Sequence, residues 1–187
     1  MGKKSKALFL DRDGVINVNH GYVYEIQRFE FIEEIFLIMQ IAQAQQMPII
    51  IITNQSGIGR GIYTEDQFEE LSSWMKLELE NRGIHISGIF HCSDNPDAPH
   101  FSPSTSRRKP SPAMFIEAAN ELRIDLEDSI MIGDNESDLT AAKNANLRYR
   151  ILISKATESQ SATHIVKDHH ECRDMLLEIL NVGLERS

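Results

Sequence analysis

Short apolar blocks alternate with longer amphipathic stretches along this chain. Residues 7–10 (Ala-Leu-Phe-Leu) run uninterrupted into Asp11, and Ile49, Ile50, Ile51 and Ile52 form the most strand-like block of all. β-Branched runs without alternation belong to strands covered on both faces, as in a parallel sheet between helices. Similar blocks recur at 88–92, 129–132 and 149–153, and Ile165 with Val166 reads as a short edge strand. Between the blocks, apolar positions fall at helical spacing. Ile35, Ile38, Met39 and Ala42 predict a helix over 32–46. Phe68, Leu71, Met75 and Leu79 predict another over 64–82, opened by a Thr64/Gln67 capping box; that stripe is core packing. A helix over 111–122 takes Ser111 as cap and Pro112 as its first residue. Another ends near Asn144. The closing helix is capped by Asp168 with Glu171 and buries Met175, Leu176, Ile179 and Leu180. Strands alternating with helices predict an α/β fold: one doubly wound, Rossmann-like parallel sheet in a single domain over 1–187.

Composition adds exclusions. The chain has 187 residues, 41% hydrophobic and 25% charged, with a formal net charge of −9. Such an acidic balance disfavours a broad nucleic-acid or anionic-membrane surface, yet leaves room for a small phosphorylated ligand in a locally positive pocket. Cys92 and Cys172 do not make a disulfide framework, so a reducing, cytoplasmic setting is expected. The apolar block after Lys3, Lys4 and Lys6 is too short for a signal-peptide core, and no run approaches a membrane span. Nothing suggests an obligate dimer, and a monomer is expected.

The chemistry gathers where strands end. In a parallel α/β sheet the crevice beyond the carboxyl ends of the strands takes the ligand. The first strand runs into Asp11-Arg12-Asp13-Gly14, the second into Thr53-Asn54-Gln55-Ser56 and a glycine-containing loop, and the fourth into Gly133-Asp134-Asn135, with Asp138 beyond. Arg107, Arg108 and Lys109 form a basic run before the 111–122 helix. A long loop over 14–30 carries Asn19, His20, Gly21 and Tyr22. Each feature alone reads as a solvated turn or surface run; their convergence on one sheet edge reads as a site. Asp11 and Asp13 repel unless a cation lies between them or one holds a proton. Asp11 with Asp134 suits a hard cation such as Mg²⁺, and Lys109, Thr53 and Asn54 suit phosphoryl oxygens. The constellation points to phosphoryl transfer. The Ser/Gly loop after the second strand can also offer backbone N–H groups to an anion.

In order and spacing, Leu10-Asp11-Arg12-Asp13-Gly14, Thr53-Asn54-Gln55-Ser56-Gly57, Arg108-Lys109-Pro110 and Gly133-Asp134 with Asp138 resemble the four motifs of the haloacid dehalogenase superfamily of phosphatases. Within it, residues 19–23, 57–61, Thr64-Glu65 and Gln67-Phe68 resemble its sugar-bisphosphate phosphatases. The resemblance implies Asp11 as nucleophile and Asp13 as acid and then base. It implies Mg²⁺ held by Asp11, the Asp13 carbonyl and Asp134, with Thr53 and Lys109 stabilising the transferring phosphoryl. Substrate contacts would come from Asn19, His20, Gly21, Tyr22, Thr53, Asn54, Gln55, Ser56, Arg108, Lys109 and Asn135. Asp138 would orient its neighbours. No separate cap domain is implied.

Relatives of this type often carry zinc on four Cys/His ligands before the Arg-Lys pair. Here those positions hold Cys92, Asp94, Thr105 and Arg107, so no structural zinc is expected. Asn135 stands where such relatives present a lysine. Two other readings stay open: a histidinol-phosphate or broad small-phosphate phosphatase, and a non-catalytic binding protein that kept the fold.

Overall fold

The computed structural model describes residues 4–181. Six parallel strands form one sheet: β1 (Leu8–Leu10), β2 (Ile49–Asn54), β3 (Ile86–Cys92), β4 (Ile130–Gly133), β5 (Tyr149–Ile153) and β6 (His164–Val166). Their order across the sheet is β3-β2-β1-β4-β5-β6. The helices are α1 (Glu34–Ala44), the single-turn α2 (Ser56–Gly59), α3 (Glu65–Glu80), α4 (Ala113–Leu122), α5 (Glu136–Asn144) and α6 (His169–Ile179).

Strand side chains alternate between faces, and that period divides the core into two layers. Leu8, Leu10, Ile49, Ile51, Ile130 and Ile132 pack with Ile38 and Met39 of α1, Leu71 and Met75 of α3, and Cys172 and Leu176 of α6. Ala7, Phe9, Ile50, Ile52 and Met131 pack with Met114 and Phe115 of α4 and Leu139 and Ala142 of α5. A run of apolar residues that looked unpatterned is therefore two patterned faces, each covered by helices. The Thr64/Gln67 box caps α3, and Asp168 accepts the Glu171 N–H at 3.0 Å to cap α6. α4 begins one residue later than the spacing predicts. Pro112 already holds a helical backbone at the cap position, and Ser111 Oγ accepts the Ala113 N–H at 3.4 Å.

The strand order places the chemistry. From β1 the chain winds outward through β2 to β3, then returns to the other side of β1 with β4. At this switch point the loops leaving adjacent strands diverge and open a crevice. β1 and β4 pair in register, Leu10 with Ile132, and the Asp11 N–H donates to the Ile132 carbonyl at 3.1 Å. Asp11 and Asp134 therefore emerge side by side.

Candidate active site

Two glycines let the carboxylates close on one another. Gly14 has φ +90°, and a Cβ there would lie 2.0 Å from Asp134 Oδ2. A Cβ on Gly133 would lie 2.5 Å from the Asp138 Cβ. Ligand oxygens of Asp11, Asp134 and Asp138 consequently fall within 4.8 Å of one another.

Lys109 holds this cluster together. It reaches in from the loop before α4 and is almost wholly buried. Its Nζ donates to Asp11 Oδ1 at 2.7 Å and to the Ile52 carbonyl at 2.8 Å, and pairs with Asp138 Oδ1 at 2.7 Å. Asn54 fixes its backbone from both sides, accepting the Lys109 N–H at 3.0 Å and donating to the Lys109 carbonyl at 3.3 Å. Burial by itself would lower the ammonium, but Asp11 and Asp138 outweigh it and the net shift is upward. Burial pushes the Asp11 carboxyl up to about 7; Lys109 opposes the shift, and Asp138 and Asp13 add to it. Burial, with Asp138 beside it, pushes Asp134 up to about 6.

The donor set fits a hard divalent cation. All the candidate ligands are oxygens, and carboxylates outnumber the cations that face them. Among the described residues no cationic side chain pairs with Asp134. Asp138 has both oxygens engaged, Oδ1 on Lys109 and Oδ2 on the Asn135 N–H at 3.1 Å, so it braces the cluster. Asp11 and Asp134 keep oxygens for a cation.

Asp13 sits in a cage of donors. Arg12 reaches it from Nη2 at 2.9 Å and from Nε at 3.2 Å, Asn17 Nδ2 at 3.0 Å, and Gln55 Nε2 at 3.1 Å. Arg12 is 1% exposed, the largest fully buried side chain among the described residues, and also donates to the Val23 carbonyl at 2.7 Å. Sequence reasoning assigned no role to Arg12, although its place between the two aspartates was the available signal. It also missed Tyr63 and Ser137, which line the site from the loop before α3 and from α5.

The cavity at this edge holds about 320 Å³. Asp11, Asp13, Asn19, Gly21, Tyr22, Thr53, Asn54, Gln55, Ser56, Arg108, Lys109, Asp134, Asn135 and Asp138 all border it. His20 does not: its ring turns outward to Glu30 at 3.2 Å. Gln55 borders the cavity, but its amide is spent on Asp13, Thr53 and Tyr63. Asn135 caps α5 through the Ser137 N–H at 3.0 Å. Arg108 keeps a buried Nη1 with no hydrogen-bond partner. Two glycines of α2 are required by packing. A Cβ at Gly57 would come within 2.1 Å of the Tyr63 ring, and one at Gly59 within 2.3 Å of the Ser93 carbonyl.

At the four positions compared with zinc ligands, other contacts order the 93–107 loop. Ser106 Oγ donates to Asp94 Oδ2 at 2.5 Å and accepts the Arg108 N–H at 3.0 Å. Arg107 pairs with Glu117 of α4, and Thr105 Oγ1 donates to the Ser102 carbonyl at 3.3 Å. Cys92 is a buried free thiol pushed up by that burial. Arg60 pairs with Asp97 and ties the loop to the end of α2.

The sequence and the fold that carry this crevice have counterparts among known proteins. The HAD-hydrolase-like family model matches residues 106–178. The chain belongs to the haloacid dehalogenase superfamily of phosphatases, enzymes that hydrolyse phosphate esters. Within it, the chain is 42% identical over 155 residues to the D-glycero-beta-D-manno-heptose-1,7-bisphosphate 7-phosphatase of Yersinia pestis, covering 82% of each chain. Among solved structures, a Mesorhizobium loti protein described as a HAD-like phosphatase superposes with a TM-score of 0.83 at 28% identity, covering 100% of this chain and 91% of that one. The D,D-heptose 1,7-bisphosphate phosphatase of B. bronchiseptica, solved with magnesium and phosphate, shares the fold with a TM-score of 0.78 at 23% identity, covering 92% and 98%.

Proposed function

We propose that this phosphatase removes the 7-phosphate from D-glycero-D-manno-heptose 1,7-bisphosphate through an aspartyl-phosphate on Asp11, with Mg²⁺ as cofactor. The observation that carries the chemistry is Asp11 itself: buried, fixed by Lys109 at 2.7 Å, and open to a cavity sized for a small phosphorylated sugar. The substrate assignment rests on the name of the Yersinia pestis relative and on Arg108, whose unpartnered guanidinium nitrogen suits a second phosphate.

Asp11 attacks phosphorus and the sugar oxygen leaves; water then attacks the aspartyl-phosphate and frees the carboxylate. Asp13 protonates the departing oxygen and afterwards takes the proton of the attacking water. Lys109 and the Thr53 hydroxyl stabilise charge on the transferring phosphoryl. Asp11, Asp134 and the Asp13 backbone carbonyl would hold Mg²⁺, which supplies charge neutralisation between an anionic nucleophile and an anionic ester when bound. Asp138 keeps Lys109 in place. The two free cysteines fit a reducing, cytoplasmic setting.

The test is phosphate release from both anomers of the heptose bisphosphate, beside histidinol phosphate, with Mg²⁺ and with chelator. Release of one phosphate from a heptose anomer, lost with chelator and in Asp11→Asn, is the expected result. Preference for histidinol phosphate would overturn the substrate and leave the site chemistry standing.

A further inference from the structure

Tyr63 is a buried tyrosine that borders the site. The ring stacks on Tyr24 with centroids 5.0 Å apart and planes 12° from parallel, and it fills the space that Gly57 leaves open. Its hydroxyl donates to Gln55 Oε1 at 2.5 Å. Burial pushes the phenol up to about 12, so it stays a donor. Gln55 is itself buried, and its Nε2 donates to Thr53 Oγ1 at 2.8 Å and to Asp13 Oδ2 at 3.1 Å.

A carboxamide has one acceptor end and one end with two N–H groups, and here both ends are specified. Asp13 accepts and so demands the nitrogen. The Tyr63 hydroxyl can donate or accept, so it follows that choice and donates to the oxygen. With the amide locked in that sense, Thr53 Oγ1 is an acceptor toward Gln55, and its own hydrogen must point elsewhere. Thr53 borders the cavity, where that hydrogen can meet a phosphoryl oxygen. Were the amide reversed, its oxygen would face the Asp13 carboxylate and draw the Thr53 hydrogen away from the cavity.

We propose that Tyr63 and Gln55 are positioning residues for phosphoryl transfer: Asp13 sets the sense of the Gln55 amide, the Tyr63 hydroxyl holds its oxygen in place, and the amide so held aims the Thr53 hydroxyl into the cavity and steadies Asp13. This rests on the roles proposed above for Thr53 and Asp13, but not on which sugar is the substrate. The hydrogen bonds of Tyr63 reach Thr53 and Asp13 through Gln55.

The experiment is a coupling measurement with Tyr63→Phe, Gln55→Met and the double variant. Turnover is followed with p-nitrophenyl phosphate as well as the heptose bisphosphate, so a wrong sugar assignment shows as lost heptose preference with p-nitrophenyl phosphate turnover intact. Tyr63→Phe keeps the ring and removes one donor; the expected effect is about a tenfold fall in kcat with KM within about twofold. Gln55→Met should cost more, and Tyr63→Phe added to it should change kcat by less than about twofold, because the relay is already broken. The Gln55 side-chain amide protons, followed by NMR, should exchange faster with solvent in Tyr63→Phe, a readout that does not depend on Gln55→Met folding. Unchanged kcat in Tyr63→Phe, a rise in KM alone, losses that add in the double variant, or unaltered amide exchange would each overturn the relay.

Discussion

Replacing Lys109 by methionine would leave Asp11 and Asp138 facing each other below the cavity with nothing to balance them. One buried ammonium serves both carboxylates at 2.7 Å, and removing a buried partner leaves two close carboxylates with no counter-charge. The expected cost in unfolding free energy is about 3–5 kcal/mol, read by urea denaturation. Turnover should fall by about a hundredfold or more, because the same nitrogen carries the proposed stabilisation of the phosphoryl group. A rise in stability would show that the pair is a net burden in the fold. Lys109, Asp11 and Asp134 were legible in the sequence because each follows a strand or a basic run at a strand end, and the parallel topology brings such ends together. Arg12, Tyr63 and Gly57 were not. Tyr63 meets Gln55 across the turn of α2, and the contact depends on a glycine making room for a ring. No spacing rule announces a through-space fit of that kind.

Elements outside the crevice hold its loops. The 93–107 loop hangs on Ser106, whose hydroxyl joins Asp94 to the Arg108 backbone. Ser106→Ala should loosen Arg108 without touching Asp11, raising KM for a bisphosphate about fivefold to tenfold with kcat little changed; steady-state kinetics decide it. α6 braces the turn after Asp13 through His169, whose ring meets the Val15 carbonyl at 2.9 Å. Burial lowers the pKa of His169 below its ordinary value. Val15, Glu34 on α1 and Asp168 work against that shift, and His170 works with it. The folded state therefore prefers the neutral ring. The stability it contributes is complete above the unfolded pKa, near 6.5, and is lost as the pH falls from there through the lowered folded value. His169→Gln keeps a donor for Val15 and removes the titration. Between pH 7 and 5 the wild type should lose stability more steeply than this variant, by at most about 1.4 kcal/mol per pH unit, in denaturant titrations at each pH. Strands and caps at this scale were readable, because hydrophobic period and capping chemistry are local. The loop over 93–107 was not, since its ties are to Glu117 and Arg60 on other elements.

At the scale of the molecule, the sheet is two halves joined at β1 and β4, and the proposed cation site lies across that seam. Asp11 belongs to the half built from β1, β2 and β3, and Asp134 to the half built from β4, β5 and β6. A cation held by both is a cross-link that the unfolded chain cannot hold in the same way, so binding must add to stability by mass action. With Mg²⁺ at one hundred times its dissociation constant the gain is about 2.7 kcal/mol, and thermal unfolding with Mg²⁺ against chelator measures it. Gly14→Ala tests the geometry without removing a ligand. Its Cβ would lie 2.0 Å from Asp134 Oδ2 and its backbone sits at φ +90°, so the carboxylate must move and the turn is strained. This variant should lose about 1–3 kcal/mol before any cation is added, and its midpoint should rise far less with Mg²⁺ than that of the wild type. A midpoint that rises as far in Gly14→Ala as in the wild type would place the cation away from Asp134, and with it the seam-spanning site.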